Sequence, residues 1–127
     1  MSVIRSYKEL LVWQKAMQLV IVVYEITAQF PANEKYGLVS QVNRSAVSIP
    51  SNIAEGRARG TRKDFCQFMI RAFSSGAELE TQLELVKMLP FGSPIDCTKA
   101  DAILSEVMRM LNAMIRKLKL EANSYKL

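Results

Sequence analysis

Prolines and glycines divide this chain into four long stretches in which apolar residues return every three or four positions, a pattern that admits little besides a bundle of helices. The first stretch covers about 7–30 and stops at Pro31, which has no amide to donate and crowds the preceding turn. Asn33 is placed to cap the second, over about 34–57. There Leu38, Val42, Ala46, Ile49 and Ile53 form one apolar stripe. Pro50, inside it, predicts a kink or else two shorter helices, with the orphaned Ala46 carbonyl met by a nearby Ser or Asn side chain or a water. Gly56 and Gly60 bracket the next connection. Thr61 with Asp64 reads as a capping box opening a third helix that reaches roughly 89, where Pro90, Gly92 and Pro94 end it. The fourth begins near Asp96 or Thr98 and carries Leu104, Val107, Leu111, Met114 and Leu118 in a heptad-like series. Connections this short imply antiparallel neighbours, so the expected fold is all-α, an antiparallel up-down-up-down four-helix bundle. At 127 residues it is a single domain, 1–127, able to bury a core without disulfides or metal.

The first helix is apolar over too much of its circumference for such a bundle. Leu10, Trp13, Met17, Val20 and Tyr24 make one stripe, and Val12, Ala16, Leu19, Val23, Ile26 and Phe30 a second beside it. Together they span roughly 200°, against the somewhat more than 100° that a core-facing helix uses. A second protomer is the natural cover. Val12, Ala16, Leu19, Val23 and Ile26 are therefore assigned to a subunit contact, and the bundle to a cyclic homo-oligomer. On the second helix Gln41, Ser45, Ser48, Asn52, Glu55 and Arg59 form a small, hydrogen-bonding stripe. It suits a polar subunit contact, with Ser48, Asn52 and Glu55 as its members, or a solvent-filled lumen, or a plain solvated face.

Catalytic chemistry finds little purchase. With no histidine, the chain lacks the commonest general base and the commonest transition-metal ligand. Cys66 and Cys97 have neither CxxC spacing nor clustered partners, which predicts two reduced thiols and no structural zinc. No glycine pattern follows a strand, and Gly56 with Gly60 lacks the residues of a phosphate-binding loop. Glu78, Glu80 and Glu84 read as a solvated face, with Glu84 paired to Lys87, because carboxylate metal sites in bundles need histidine partners. The expectation is a protein that is not an enzyme and uses no cofactor or metal. No apolar run approaches the roughly 18 residues that cross a bilayer. The charged residues Arg5, Lys8 and Glu9 near the start do not read as a signal peptide, so the expected address is cytoplasmic, without a membrane partner.

Net charge is +5, and the cations cluster. Arg57, Arg59, Arg62, Lys63 and Arg71 surround the connection between the second and third helices, opposed only by Asp64. Arg109, Arg116, Lys117, Lys119 and Lys126 form a second group, opposed only by Glu121. Such patches neutralise phosphates without reading sequence, and they equally serve as solubilising termini. The candidate nucleic-acid contacts are Arg57, Arg59, Arg62 and Lys63, with Arg116, Lys117 and Lys119 as the competing set; Arg59 is also spaced to pair with Glu55.

The segments Leu10-Leu-Val-Trp-Gln-Lys-Ala-Met17, Phe30-Pro-Ala-Asn-Glu-Lys-Tyr-Gly-Leu38, Ser48-Ile-Pro-Ser-Asn-Ile-Ala-Glu-Gly56 and Ala77-Glu-Leu-Glu-Thr-Gln-Leu83 closely resemble the four-helix-bundle proteins encoded by intervening sequences in bacterial large-subunit (23S) ribosomal RNA genes. The resemblance runs in order over nearly the whole chain. It implies a homopentameric barrel without catalytic activity. Through relatives that are accessory proteins of diversity-generating retroelements, it also implies RNA or DNA and a reverse transcriptase as partners. Residues carry over only as a signature: Trp13, Pro50, Asn52, Glu55, Gly56 and Arg59. The chain departs from the pattern at Asn43, where a basic residue often precedes the equivalent of Arg44, and at Phe73-Ser-Ser-Gly76. The functional expectation is an oligomeric nucleic-acid-binding accessory or assembly factor; the alternative is a structural adaptor for another protein.

Overall fold

A computed structural model describes residues 6–124, with side chains through 121. Its regular elements are all helical: a 3-10 turn Tyr7–Glu9, α1 (Leu11–Thr27), a 3-10 turn Ala32–Glu34, α2 (Leu38–Arg59), α3 (Arg62–Met88) and α4 (Thr98–Ser124). Among the described residues there is no strand. No described helix is long and apolar enough to cross a membrane.

Helix ends follow local chemistry, with three departures from expectation. Leu10 is extended, which separates the Tyr7–Glu9 turn from α1. At the other end of α1 the chain tightens, Gln29 and Phe30 donating to the carbonyls of Ile26 and Thr27, so the helix stops before the residue preceding Pro31. Asn33 is not the cap of α2. It lies within the second 3-10 turn, Gly37 precedes α2 without a side-chain cap, and the Glu34 carboxylate accepts from the Leu38 amide at 3.4 Å. The later ends match: Thr61 Oγ1 accepts from the Asp64 amide at 3.2 Å, and Asp96 Oδ1 from the Thr98 amide at 2.9 Å. Hydrogen bonding from Thr98, its side chain first and its amide second, lowers the Asp96 pKa. That bond therefore contributes fully above the usual carboxylate range and is lost as pH falls below it, through the lowered Asp96 pKa.

α2 runs unbroken through Pro50 to Arg59, which removes the two-helix alternative. Asn52 donates to the Ser48 carbonyl at 2.8 Å and to Ser48 Oγ at 2.9 Å, not to the Ala46 carbonyl that the proline leaves without an amide. Gly60 closes the helix in the left-handed region, φ 86°, where only glycine is unstrained. Gly56 is not part of the connection: it is buried inside α2, and a Cβ there would lie 2.5 Å from Phe68 Cβ. Contacts between α2 and α3 pair Gly56 with Phe68, Ser48 with Ser75 and Ser45 with Glu78. Gly56→Val is expected to lower stability by about 3 kcal/mol through overpacking against Phe68, read from the midpoint of urea unfolding.

The core joins one stripe from each helix. Leu38, Val42, Ala46, Ile49 and Ile53 of α2 are all buried, as are Leu79, Leu83 and Val86 of α3 and Leu104, Val107 and Leu111 of α4. Met114 and Leu118 are half-buried, and Ile115 takes the core position in that last part of α4. Phe30 and Phe91 close one end, ring centroids 5.1 Å apart and edge to face.

α1 faces the other way from expectation. Val12, Ala16, Leu19, Val23 and Ile26, assigned above to a subunit contact, are at most 3% exposed within the protomer itself. They are its core, because α2 and α4 pack on that stripe. The surplus lies on the other flank, where Leu11, Met17, Ile21 and Tyr24 are 56, 40, 61 and 48% exposed. Beside it runs a shallow groove walled by Trp13, Met17, Val20, Val47, Pro50 and Ala54.

Candidate nucleic-acid interface

The last turn of α2 carries Arg57 and Arg59, the first turn of α3 carries Arg62 and Lys63, and Gly60 and Thr61 join them. α4 meets this connection in its final turns. Arg62 Nη1 lies 3.0 Å from Glu121 Oε2, and a shallow depression between them is lined by Arg57, Gly60, Thr61, Arg62, Phe65 and Leu118. Arg116, Lys117 and Lys119 are exposed on the turns around Leu118. The chain segments that carry the two competing groups thus meet, at Arg62 and Glu121. Arg109 stands apart, donating to Ser105 Oγ at 2.9 Å nearly two turns before Arg116, and Lys126 lies outside the described residues.

Within this surface the cations differ. Arg62 is partly neutralised by Glu121. Arg59 pairs with Glu55 at 3.3 Å, as its spacing predicts, and its Cζ sits 4.9 Å from the centroid of Phe68. Arg71, one turn after Phe68, places its Cζ 4.5 Å from the same ring. Nothing in the periodicity relates Arg59 to Arg71, because the helix contact at Gly56 is what brings them to one side chain.

The polar stripe of α2 meets α3 of its own protomer. Ser45 donates to Glu78 Oε1 at 2.5 Å, and the Ser48 and Ser75 hydroxyls are 2.8 Å apart. Ser48 and Asn52, proposed as subunit contacts, therefore place their hydrogen bonds inside the protomer, while Glu55 is exposed and engages Arg59. Thr27 donates to Asn43 Oδ1 at 2.9 Å, so Asn43, where the resembled pattern has a cation, ties α1 to α2. One step along the α2–α3 seam, Gln82 Oε1 is buried with no protein partner.

At the α3–α4 connection Lys87 joins Asp101, 2.7 Å, and Glu84, 2.8 Å. These hydrogen bonds, Asp101's the larger, raise the Lys87 pKa above its ordinary value. Cys66 and Cys97 are free thiols, and burial pushes the Cys97 thiol up. Cys97 should resist a thiol reagent at neutral pH until the chain unfolds, because thiolate is the reactive form; timed labelling with and without urea reads this directly.

Comparison with known proteins agrees with this architecture. A crystal structure of a protein of unknown function from the S23 ribosomal protein family of Bacteroides thetaiotaomicron superposes with a TM-score of 0.68. At 22% identity it covers 83% of this chain and 98% of its own, a likeness of fold. No curated protein sequence matches the chain. The sequence profile of the 23S rRNA-intervening sequence proteins matches residues 8–113. With that match spanning all of α1, α2 and α3 and most of α4, the chain belongs to the 23S rRNA-intervening sequence protein family.

Proposed function

We propose that this protein is a non-catalytic, cytoplasmic assembly factor that binds nucleic acid through one basic end of an antiparallel up-down-up-down bundle. The observation that carries the reading is the meeting of Arg57 and Arg62 with the final turns of α4, the turns that carry Arg116, Lys117 and Lys119, at the Arg62–Glu121 pair. In the antiparallel order Glu34, Glu84, Asp96 and Asp101 belong to the opposite end together with Lys35, Lys87 and Lys99, so the basic excess lies at the Arg57–Lys63 end. A cationic end attracts phosphates over a Debye length and binds them by releasing counterions, without reading bases. The aromatics nearby suit that mode: Phe68 is buried and Phe65 half-buried, leaving no stacking platform among the described residues. The free amides of the α3 N-terminus add to it, although Asp64 and the Thr61 cap occupy part of that turn.

Assembly completes the reading. The exposed flank of α1 and its groove call for a cover, and the family resemblance supports a second copy in a closed pentameric ring with heterologous contacts. Repetition around a ring turns a weak phosphate contact into a strong one. The same groove supports a second reading, an adaptor that seats an apolar helix of another protein, a reverse transcriptase by resemblance.

A salt titration separates the two. The protein should bind unrelated RNA and DNA oligonucleotides at low salt. Changing Arg57, Lys63, Arg116, Lys117 and Lys119 to Gln should weaken all sequences alike and flatten the log–log salt slope by about 0.9 for each duplex phosphate that is no longer neutralised. If both sets serve one surface, neutralising either alone should weaken binding. Wild-type protein that binds no polynucleotide at low salt leaves the adaptor.

A further inference from the structure

We propose that Arg59 and Arg71, held against the ring of Phe68, form a two-arginine clamp for one backbone phosphate of a bound polynucleotide, a site that rests on the nucleic-acid reading above and extends it along α3. The clamp begins at Gly56. Because that residue has no Cβ to strike Phe68, α2 and α3 approach closely enough for an arginine of each to reach one phenyl ring. The two Cζ atoms lie 4.9 and 4.5 Å from the ring centroid, so they can be no farther apart than the sum of those distances. Two positive charges within that bound lie inside about one Debye length and repel, to an extent that solvent and salt screen, and the ring quadrupole offsets part of that cost.

Little else among the described residues answers the pair. Glu55 engages Arg59 alone, through side chains that are both about half exposed, a contact that a competing anion displaces at small cost. Among the described residues Arg71 has no carboxylate within ion-pair distance. A guanidinium kept over a ring has already lost much of its rotamer freedom, and its fork of N–H donors matches the oxygens of a phosphate. One phosphate between the two arginines would relieve the repulsion and accept from both.

The surroundings favour a strand over an isolated carboxylate. Lys63, Gln67 and Arg71 follow one another at four-residue spacing on one exposed face of α3. Arg71 stands about 12 Å along the helix from Lys63. The clamp thus continues the row of cations from the bundle end, at a reach that a phosphodiester chain covers in a few nucleotides.

The test compares R59Q, R71Q, the double variant and R71K in the intact protein. Binding of a fluorescent single-stranded oligonucleotide and a duplex is measured across a salt series, with polyglutamate as a second probe. If both arginines hold one phosphate, each single variant should bind about tenfold more weakly. The double should then be no more than about twofold weaker than either, because the partners are coupled. R71K keeps the charge but loses the fork, and should behave like R71Q. R71K binding like wild type makes the site a diffuse charge and overturns the clamp. Wild-type affinity in the double variant, with binding still abolished when the Arg57, Lys63, Arg116, Lys117 and Lys119 cluster is neutralised, overturns the clamp and leaves the nucleic-acid reading standing. Wild-type protein that ignores both oligonucleotides overturns both, and if it then takes polyglutamate through Arg59 and Arg71 the pair belongs to an acidic peptide instead.

Discussion

Replacing Val23 with glutamate is expected to unfold the protomer. Val23 is fully buried between α1 and its neighbours, with Leu19 and Ile26 on either side along the same stripe. An ionised carboxylate there has no partner among the surrounding side chains, and an uncompensated buried charge costs about 3–5 kcal/mol. A small domain has roughly 5–15 kcal/mol in all, so far-UV circular dichroism should show loss of helix or a melting transition lowered by tens of degrees. The sign of its pH dependence is fixed. Burial raises the pKa of the introduced carboxyl, so its penalty is smallest when the group is protonated and grows as pH rises above about 4.3, the ordinary value for glutamate. Val23→Ala removes the charge from the comparison and should cost only about 1–3 kcal/mol. A V23E protein with wild-type helicity and melting would place this stripe outside the core.

The opposite flank of α1 should respond in the opposite way. Ile21→Glu and Met17→Glu alter side chains that are 61 and 40% exposed, so the stability of the protomer should move by no more than about 0.5 kcal/mol for each. If this flank is the assembly face, the same changes should take the protein from ring to protomer. Each buried apolar side chain contributes about 1.5–3 kcal/mol to such a contact, and the introduced charge must also be desolvated against the neighbour. Sedimentation velocity from one to one hundred micromolar, alongside a melt, reads both quantities on one sample. A mass unchanged from wild type would acquit this flank, and a wild-type chain that sediments as a protomer throughout would falsify the ring itself.

These two experiments divide α1 where its sequence could not. Both stripes are apolar and separated by a similar spacing, and each is wide enough for a core-facing helix. Excess apolar surface was therefore legible, but not which side was in excess. That choice depends on where α2 and α4 lie, and they bury Val12, Ala16, Leu19, Val23 and Ile26. The stripe of Gln41, Ser45, Ser48, Asn52, Glu55 and Arg59 was legible as hydrogen-bonding in the same way. Only the arrival of Ser75 and Glu78 from α3 gave two of its members a partner within the protomer.

By itself the sequence determined what is written within a turn or two of chain. The helix-ending prolines, the Thr61 and Asp96 caps, the left-handed Gly60 and the core stripes of α2 and α4 depend on neighbours only a few residues apart, and the structure has them where local rules require. Even the failure at Asn33 is local, a competition between two short turns near Gly37. Tertiary structure alone decided which flank of α1 is covered, that Arg62 reaches Glu121 on the last turns of α4, and that Arg59 and Arg71 share Phe68. The physical reason is common to all three. Each is a contact between helices at a depth set by side-chain volume, at Gly56 above all, and a periodic pattern records which faces are apolar or charged without recording which other face will meet them.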